Sequence, residues 1–267
     1  MRRNLFPAWM VVFILGVSAA GFQPAAAAQT NIGAAPVAGK RPMTFMDIIE
    51  MRSLRSRALS PDGQWLLYSV AAPNWSKGEQ YSDIFLTSTQ GGEPKQLTFT
   101  KDKNEDNPLW AKDGTLFAFI SDRDGKRQIY FMRWDGGEAR KMTDHKEGVG
   151  SMAWSKNGDY LAYTAGKADE QQLWLLPKNA PQPIRLTKHE TPIKGFWWSP
   201  SSRHIYFTAP DSLDKEDKKR RDKKFDVKII NQPDPSVHLW VIDVETKAES
   251  RLTSGTEFTI RSALFGG

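Results

Sequence analysis

Four stretches of seventeen residues align along this chain without a gap, and no other feature constrains its fold as strongly. They are SDIFLTSTQGGEPKQLT (82–98), RQIYFMRWDGGEARKMT (127–143), QQLWLLPKNAPQPIRLT (171–187) and VHLWVIDVETKAESRLT (237–253). In each, an apolar-aromatic-apolar triplet is centred on Phe85, Tyr130, Trp174 or Trp240. A turn-rich stretch follows, and then Leu or Met precedes Thr98, Thr143, Thr187 or Thr253. A second column runs ahead of the first: LSPDGQWLLYS (59–69), WAKDGTLFAFIS (110–121), WSKNGDYLAYT (154–164) and WSPSSRHIYFT (198–208). Trp110, Trp154 and Trp198 are 44 residues apart, and Thr98, Thr143 and Thr187 are 45 and 44 apart. The last threonine interval is 66, so the fourth unit carries an insert of about 22 residues.

One unit reads as four short strands. Pro-Asp-Gly, Lys-Asp-Gly and Lys-Asn-Gly are tight turns, because Gly and Asn accept positive φ. Each turn leads into five or six aromatic and aliphatic residues, a strand. A further turn, such as Asp124-Gly125, leads to the aromatic triplet, and Gly91-Gly92 or Gly136-Gly137 turns into the strand that ends in Leu-Thr. The chain then crosses to the Trp-Ser strand of the next unit. A lone four-stranded sheet cannot bury both of its faces, so the units must stack. The expected fold is all-β: a β-propeller of four-stranded blades, with about four blades over 59–267 and the start of a fifth. Trp110, Trp154, Trp174, Trp198 and Trp240 recur at fixed columns, as inter-blade packing requires; a stacking platform for a sugar or cofactor is the alternative.

Composition narrows the class. The 267 residues contain no cysteine, which excludes a disulfide scaffold, a thiolate metal site and a thiol nucleophile. Met1-Arg2-Arg3-Asn4, the apolar run Leu5 to Gly21 and the small residues Ala25 to Ala28 follow the three-part pattern of a secretory signal peptide, 1–28. Pro7 and Gly16 interrupt the apolar run, which is at the short end for a membrane span. Cleavage removes two arginines and no acid, taking the net charge from +6 to +4. That mild charge on an exported chain, periplasmic or secreted, does not suggest nucleic acid as a partner, and after cleavage no membrane contact is expected. Residues 29–42, rich in Ala, Gly and Pro, read as a linker. Thr44 and Asp47 form a capping box, and Phe45, Ile48 and Ile49 give the following short helix one apolar face; helix and lead-in occupy 43–58.

Ser60-Pro61-Asp62-Gly63, its degenerate copies and the Leu-Thr endings resemble the repeats of TolB-like propellers. They equally resemble the N-terminal propellers of the prolyl oligopeptidase family of serine peptidases. MTFMDIIEMRSLRSRALSPDGQWLLYSV (43–70) and the charged insert before HLWVID (238–243) resemble the acylaminoacyl-peptidase and dipeptidyl-peptidase branch of that family. The resemblance implies a non-catalytic propeller that gates peptide substrates over an α/β-hydrolase domain, whose serine sits on a Gly-x-Ser-x-Gly elbow. No serine here has glycine at both −2 and +2: Ser18 follows Gly16 but precedes Ala20, and Ser151 has Val149 at −2. The expected object is therefore a partial propeller without a catalytic residue, its peptide substrates met through a hydrolase domain not in this sequence. The alternative is a stand-alone TolB-like scaffold that binds another protein.

No cofactor or metal is expected. His145 and His189 both fall two residues after a repeat threonine; turn residues on one propeller face are the plain reading, and a metal shared between blades is the alternative. His204 and His238 have no nucleophile partner to serve. Asp102, Glu105, Asp106, Asp122 and Asp124 are expected in solvated turns, since their spacing does not match a calcium loop. The insert, 211–234, holds eight basic and seven acidic residues. It reads as a projecting loop or hairpin, with contact to substrate or to a partner domain as its functional reading.

Overall fold

The computed structural model describes residues 41–180, 182–213, 219, 223 and 234–262. The expected signal peptide, most of the expected linker and the middle of the insert lie outside the described residues. The chain divides into two compact units, Met1–Met43 and Thr44–Gly267, and every element below belongs to the second.

Helix α1 (Phe45–Ile49) is a little over one turn long. Thr44 Oγ1 accepts the Asp47 N–H at 3.4 Å, and the Asp47 carboxylate accepts the Thr44 N–H at 2.6 Å, so the capping box forms. Among the described residues sixteen strands follow, in four sheets whose strands pair in chain order. Blade I is β1 (Ser53–Leu59), β2 (Trp65–Asn74), β3 (Glu79–Ser88) and β4 (Lys95–Gln96). Blade II is β5 (Glu105–Trp110), β6 (Leu116–Ser121), β7 (Gln128–Arg133) and β8 (Arg140–Lys141). Blade III is β9 (Val149–Trp154), β10 (Tyr160–Ala165), β11 (Gln172–Pro177) and β12 (Ile184–Arg185). Blade IV is β13 (Gly195–Trp198), β14 (His204–Pro210), β15 (Val237–Asp243) and β16 (Glu249–Arg251). Every pairing is antiparallel. The first blade begins at Ser53, inside the stretch expected to be lead-in.

The turn between the first two strands is built alike in blades I, III and IV, while Ala111 at the same place in blade II keeps only the backbone bond to Leu116 O. Ser60, Ser155 and Ser199 accept through Oγ the N–H of Trp65, Tyr160 and His204, at 2.9, 3.0 and 3.1 Å. The turn needs a left-handed residue, which Gly63, Gly114 and Gly158 supply. In blade IV this residue is Ser202, at φ +61°. The strain costs about 1–2 kcal/mol, and the Ser202 hydroxyl offsets part of it by accepting the Asn157 N–H of blade III at 2.9 Å.

The fourth strands are only two or three residues long, and a threonine just past each one fastens it. Oγ1 of Thr98, Thr143, Thr187 and Thr253 accepts the N–H of Ile84, Ile129, Leu173 and Leu239, at 2.9 Å in every case. The hydroxyl stands in for a missing ladder partner on the third strand.

Three apolar seams join the blades. Leu67, Ile84, Leu86 and Leu97 of blade I meet Trp110, Phe117, Phe119, Tyr130 and Met132 of blade II. Ala118, Ile120, Ile129 and Phe131 meet Leu161, Tyr163 and Leu176 across the second seam. Ala162, Leu173 and Leu175 meet Phe196, Trp198, Ile205 and Phe207 across the third. Each seam also carries an indole bond back to the preceding blade: Trp110 Nε1 to Ala58 O (3.1 Å), Trp154 Nε1 to Leu109 O (3.4 Å) and Trp198 Nε1 to Ala153 O (3.0 Å). A buried apolar side chain contributes about 1.5–3 kcal/mol and one hydrogen bond about 0.5–1.5 kcal/mol net. Burial therefore supplies the strength of a seam, and the indole bonds set its register.

Thr187→Val keeps the shape of a fully buried side chain but leaves the Leu173 N–H without an acceptor. Urea unfolding should show a loss of about 1–3 kcal/mol. Lys188→Ala, one residue on and exposed, should stay within about 0.5 kcal/mol of the parent.

Candidate functional site

The histidines expected at equivalent turn positions turn out to be seam residues. Gln128 holds the backbone of His145 at both ends: its Oε1 accepts the His145 N–H (3.0 Å) and its Nε2 donates to the His145 carbonyl (2.7 Å). Gln172 grips His189 in the same way, at 2.8 and 3.1 Å. Each ring then packs edge-on against the next blade. His145 lies 4.6 Å from the Trp174 ring and 2.8 Å from the Tyr163 hydroxyl. His189 lies 4.5 Å from the Trp240 ring, with Nδ1 3.0 Å from Glu249 Oε2. His204 lies on β14, 3.6 Å from Asp243, and His238 is buried at the start of β15. The four rings thus occupy separate surroundings. Among the described residues, no three His, Asp or Glu side chains are grouped to hold a metal.

Two of the five acids expected in turns are strand residues: Glu105 and Asp106 open β5. Glu105 is fully buried and accepts from the Ser121 hydroxyl (3.0 Å) and Arg123 Nη2 (2.9 Å). Asp106 takes both Arg127 guanidinium nitrogens, at 3.0 and 3.2 Å. Asp102 pairs with Lys77 at 2.8 Å, Asp122 accepts from Asn104, and Asp124 accepts the Tyr130 hydroxyl at 2.7 Å. The polar run around 101–107 reads as a loop in sequence. The strand forms because Arg123 and Ser121 neutralise and bond the buried Glu105.

The insert leaves β14 after Pro210 and rejoins at Val237, and its base edges a groove of about 740 Å3. Asp169, Glu170 and Glu190 line it from blade III and its crossover, and Asp211 and Asp234 from the two ends of the insert; Lys194 is the one cation among the described lining residues. Asp211 is held by Arg251 at 3.0 Å. Such a lining suits a ligand with a positive charge, an amino group above all. The insert's mixed charge was legible in sequence. The acids from 169–190 were not, because only the seam brings that crossover beside the insert.

The matched repeat unit decides the family. Residues 52–215 match the family described as PD40, TolB beta propeller domain. The chain belongs to this family of TolB β-propeller domains. An uncharacterized peptidase of Bacillus subtilis, YuxL, is 37% identical over 111 residues, which are 41% of this chain and 17% of that protein. Dipeptidyl-peptidase 5 of Porphyromonas gingivalis is 31% identical over 129 residues, 48% of this chain and 17% of that protein. The matched stretches thus span about one sixth of those relatives. Among solved structures, the β-propeller domain of the Trilobed protease from Pyrococcus furiosus aligns with a TM-score of 0.54 at 12% identity, covering 79% of this chain and 60% of that one. A puromycin-hydrolyzing peptidase of Mycobacterium tuberculosis aligns with a TM-score of 0.54 at 14% identity, covering 75% and 29%. At such identities the agreement is one of fold, and it is the propeller fold expected from the repeat.

Burial holds the His145 imidazole below its ordinary value of 6.5. The unfolded chain therefore takes up this proton first, and stability due to His145 is full above about pH 6.5 and falls as the pH drops below it. Proton NMR should show His145 titrating below 6.5, and H145Q should lose that part of the acid destabilisation.

Proposed function

We propose that this chain is the propeller region of an exported serine peptidase of the prolyl oligopeptidase family, the part that admits and holds peptide substrates rather than the part that cleaves them. The observation that carries the reading is the local identity to two peptidases, joined to a described structure built of blades. Cleavage would then belong to the length of those relatives beyond the matched sixth. Two further features support it. The acid-lined groove at the base of the insert fits the amino end of a peptide. In blade IV Leu252 is exposed and Tyr206, Leu239 and Val241 are only half-buried, at the columns where blade III buries Ala162, Leu173, Leu175 and Leu186. The bonds that lead into blades III and IV, Val149 N–H to Arg127 O and Ile193 N–H to Gln171 O, have a counterpart one residue later in spacing from Ile260 N–H to Val237 O at 2.9 Å, which supports a further unit after blade IV.

The test is chemical. The purified chain should take up no stoichiometric label from a serine-reactive phosphonate; a single labelled serine would overturn the assignment. Peptides with a free amino end should bind more tightly than their acetylated forms, and Glu170→Gln with Asp234→Asn should erase the difference, as read by calorimetry. Equal binding of both forms removes the groove from the reading. A stand-alone TolB-like scaffold, which the family match also favours, predicts instead a monodisperse monomer that captures a protein and ignores peptides.

A further inference from the structure

In each blade the residue just before the aromatic triplet faces the threonine that fastens the fourth strand. In blades II and III it has two tasks: accept from the threonine hydroxyl and donate to a second group. Gln128 accepts from Thr143 Oγ1 at 2.8 Å and donates to the His145 carbonyl; Gln172 accepts from Thr187 Oγ1 at 2.9 Å and donates to the His189 carbonyl. His238 holds this place in blade IV, with Nδ1 3.2 Å from Thr253 Oγ1, while its Nε2 lies 3.2 Å from Asp211 Oδ2 without making a hydrogen bond. Blade I carries Asp83 at this place, and its Oδ1 accepts from Thr98 Oγ1 at 3.1 Å. An ionised carboxylate has nothing to donate.

Across the seam, within hydrogen-bonding reach of Asp83, stands Glu105, with 0% of its surface exposed. Glu105 Oε1 is satisfied by Ser121 and Arg123, but Oε2 is buried and meets no donor among the described residues. A buried acceptor without a donor is costly, and two facing carboxylates repel. One proton cures both faults.

We propose that Asp83 and Glu105 share one proton across the seam between blades I and II, and that this proton helps to hold the two blades together. The Arg123 guanidinium pairs with Glu105 and has no such contact with Asp83, so the proton is placed on Asp83. Protonated Asp83 then does what the glutamines do, accepting from its threonine through one oxygen and donating through the other. Two carboxyl groups, one proton and Arg123 leave the cluster neutral. The remaining groups around it are occupied: the Tyr130 ring lies under Arg123 at 4.6 Å and gives its hydroxyl to Asp124, and Asp122 accepts from Asn104. Burial, and then the nearness of Glu105, push Asp83 up to about 6 from 3.8, against the pull of the Thr98 hydroxyl. The folded chain therefore binds a proton that the unfolded chain has already lost between these values, and this contribution to stability falls as the pH rises from about 4 to 6.

The experiment compares the whole chain with D83N, whose amide accepts and donates without a titrating proton. Urea unfolding from pH 4.5 to 7.5 should show the folding constant of the parent falling roughly 25-fold relative to D83N, a ratio in which the His145 effect cancels. Carbon-13 NMR of the parent should place the Asp83 carboxyl well above its ordinary value, and E105Q should change that titration. A ratio that stays constant with pH, or an Asp83 that titrates near 3.8, overturns the proposal. If D83N does not fold, the carbon-13 titration of the parent decides alone.

Discussion

A single hydroxyl-to-amide bond, repeated four times at the same length, closes each blade. The fourth strand of every sheet is too short to hold by its own ladder, and the threonine behind it accepts the N–H that the ladder leaves open on the third strand. Closing the sheet there brings Leu97, Met142 and Leu186, the residues just before the threonine, into the seams. The crossover to the next blade starts from the same point. In blades II and III a glutamine grips that crossover and aims a histidine ring into the next seam. Seam burial, crossover path and ring packing all depend on the placement of that hydroxyl.

The polar network follows the same geometry with different residues. Gln128, Gln172, His238 and Asp83 look unrelated as side chains, yet they stand at one place and face one kind of partner. Uncharged glutamine does the task at any pH. Asp83 does it only with a proton, and the buried Glu105 opposite gives that proton a reason to stay. The proton keeps the pair from becoming a buried double negative charge, and Arg123 balances the single charge that is left. Blade I is thus joined to blade II on different electrostatic terms from the other seams.

The groove at the base of the insert belongs to another level of organisation. Its acids come from separate blades and from both ends of the insert, so it exists only because the third seam sets the crossover of residues 190–194 beside the insert's stems.

By itself the sequence determined the blade: its period, its four strands, its turn residues and its tryptophan columns. These are set by local rules, since a left-handed turn position demands Gly or a strained stand-in, and a two-sided sheet must repeat its apolar residues to bury both faces. Helix α1 and its capping box were legible for the same reason. β1 was not, because Ser53–Leu59 is mostly exposed and carries no alternation to read. Glu105 and Asp106 were misplaced into a turn, because what makes Glu105 a strand residue is an arginine eighteen positions away. Only the tertiary structure decided which polar side chains are buried, what partners them, and so which of them carries a proton. Burial and pairing depend on the neighbouring blade, and no local pattern in the chain states which neighbour that will be.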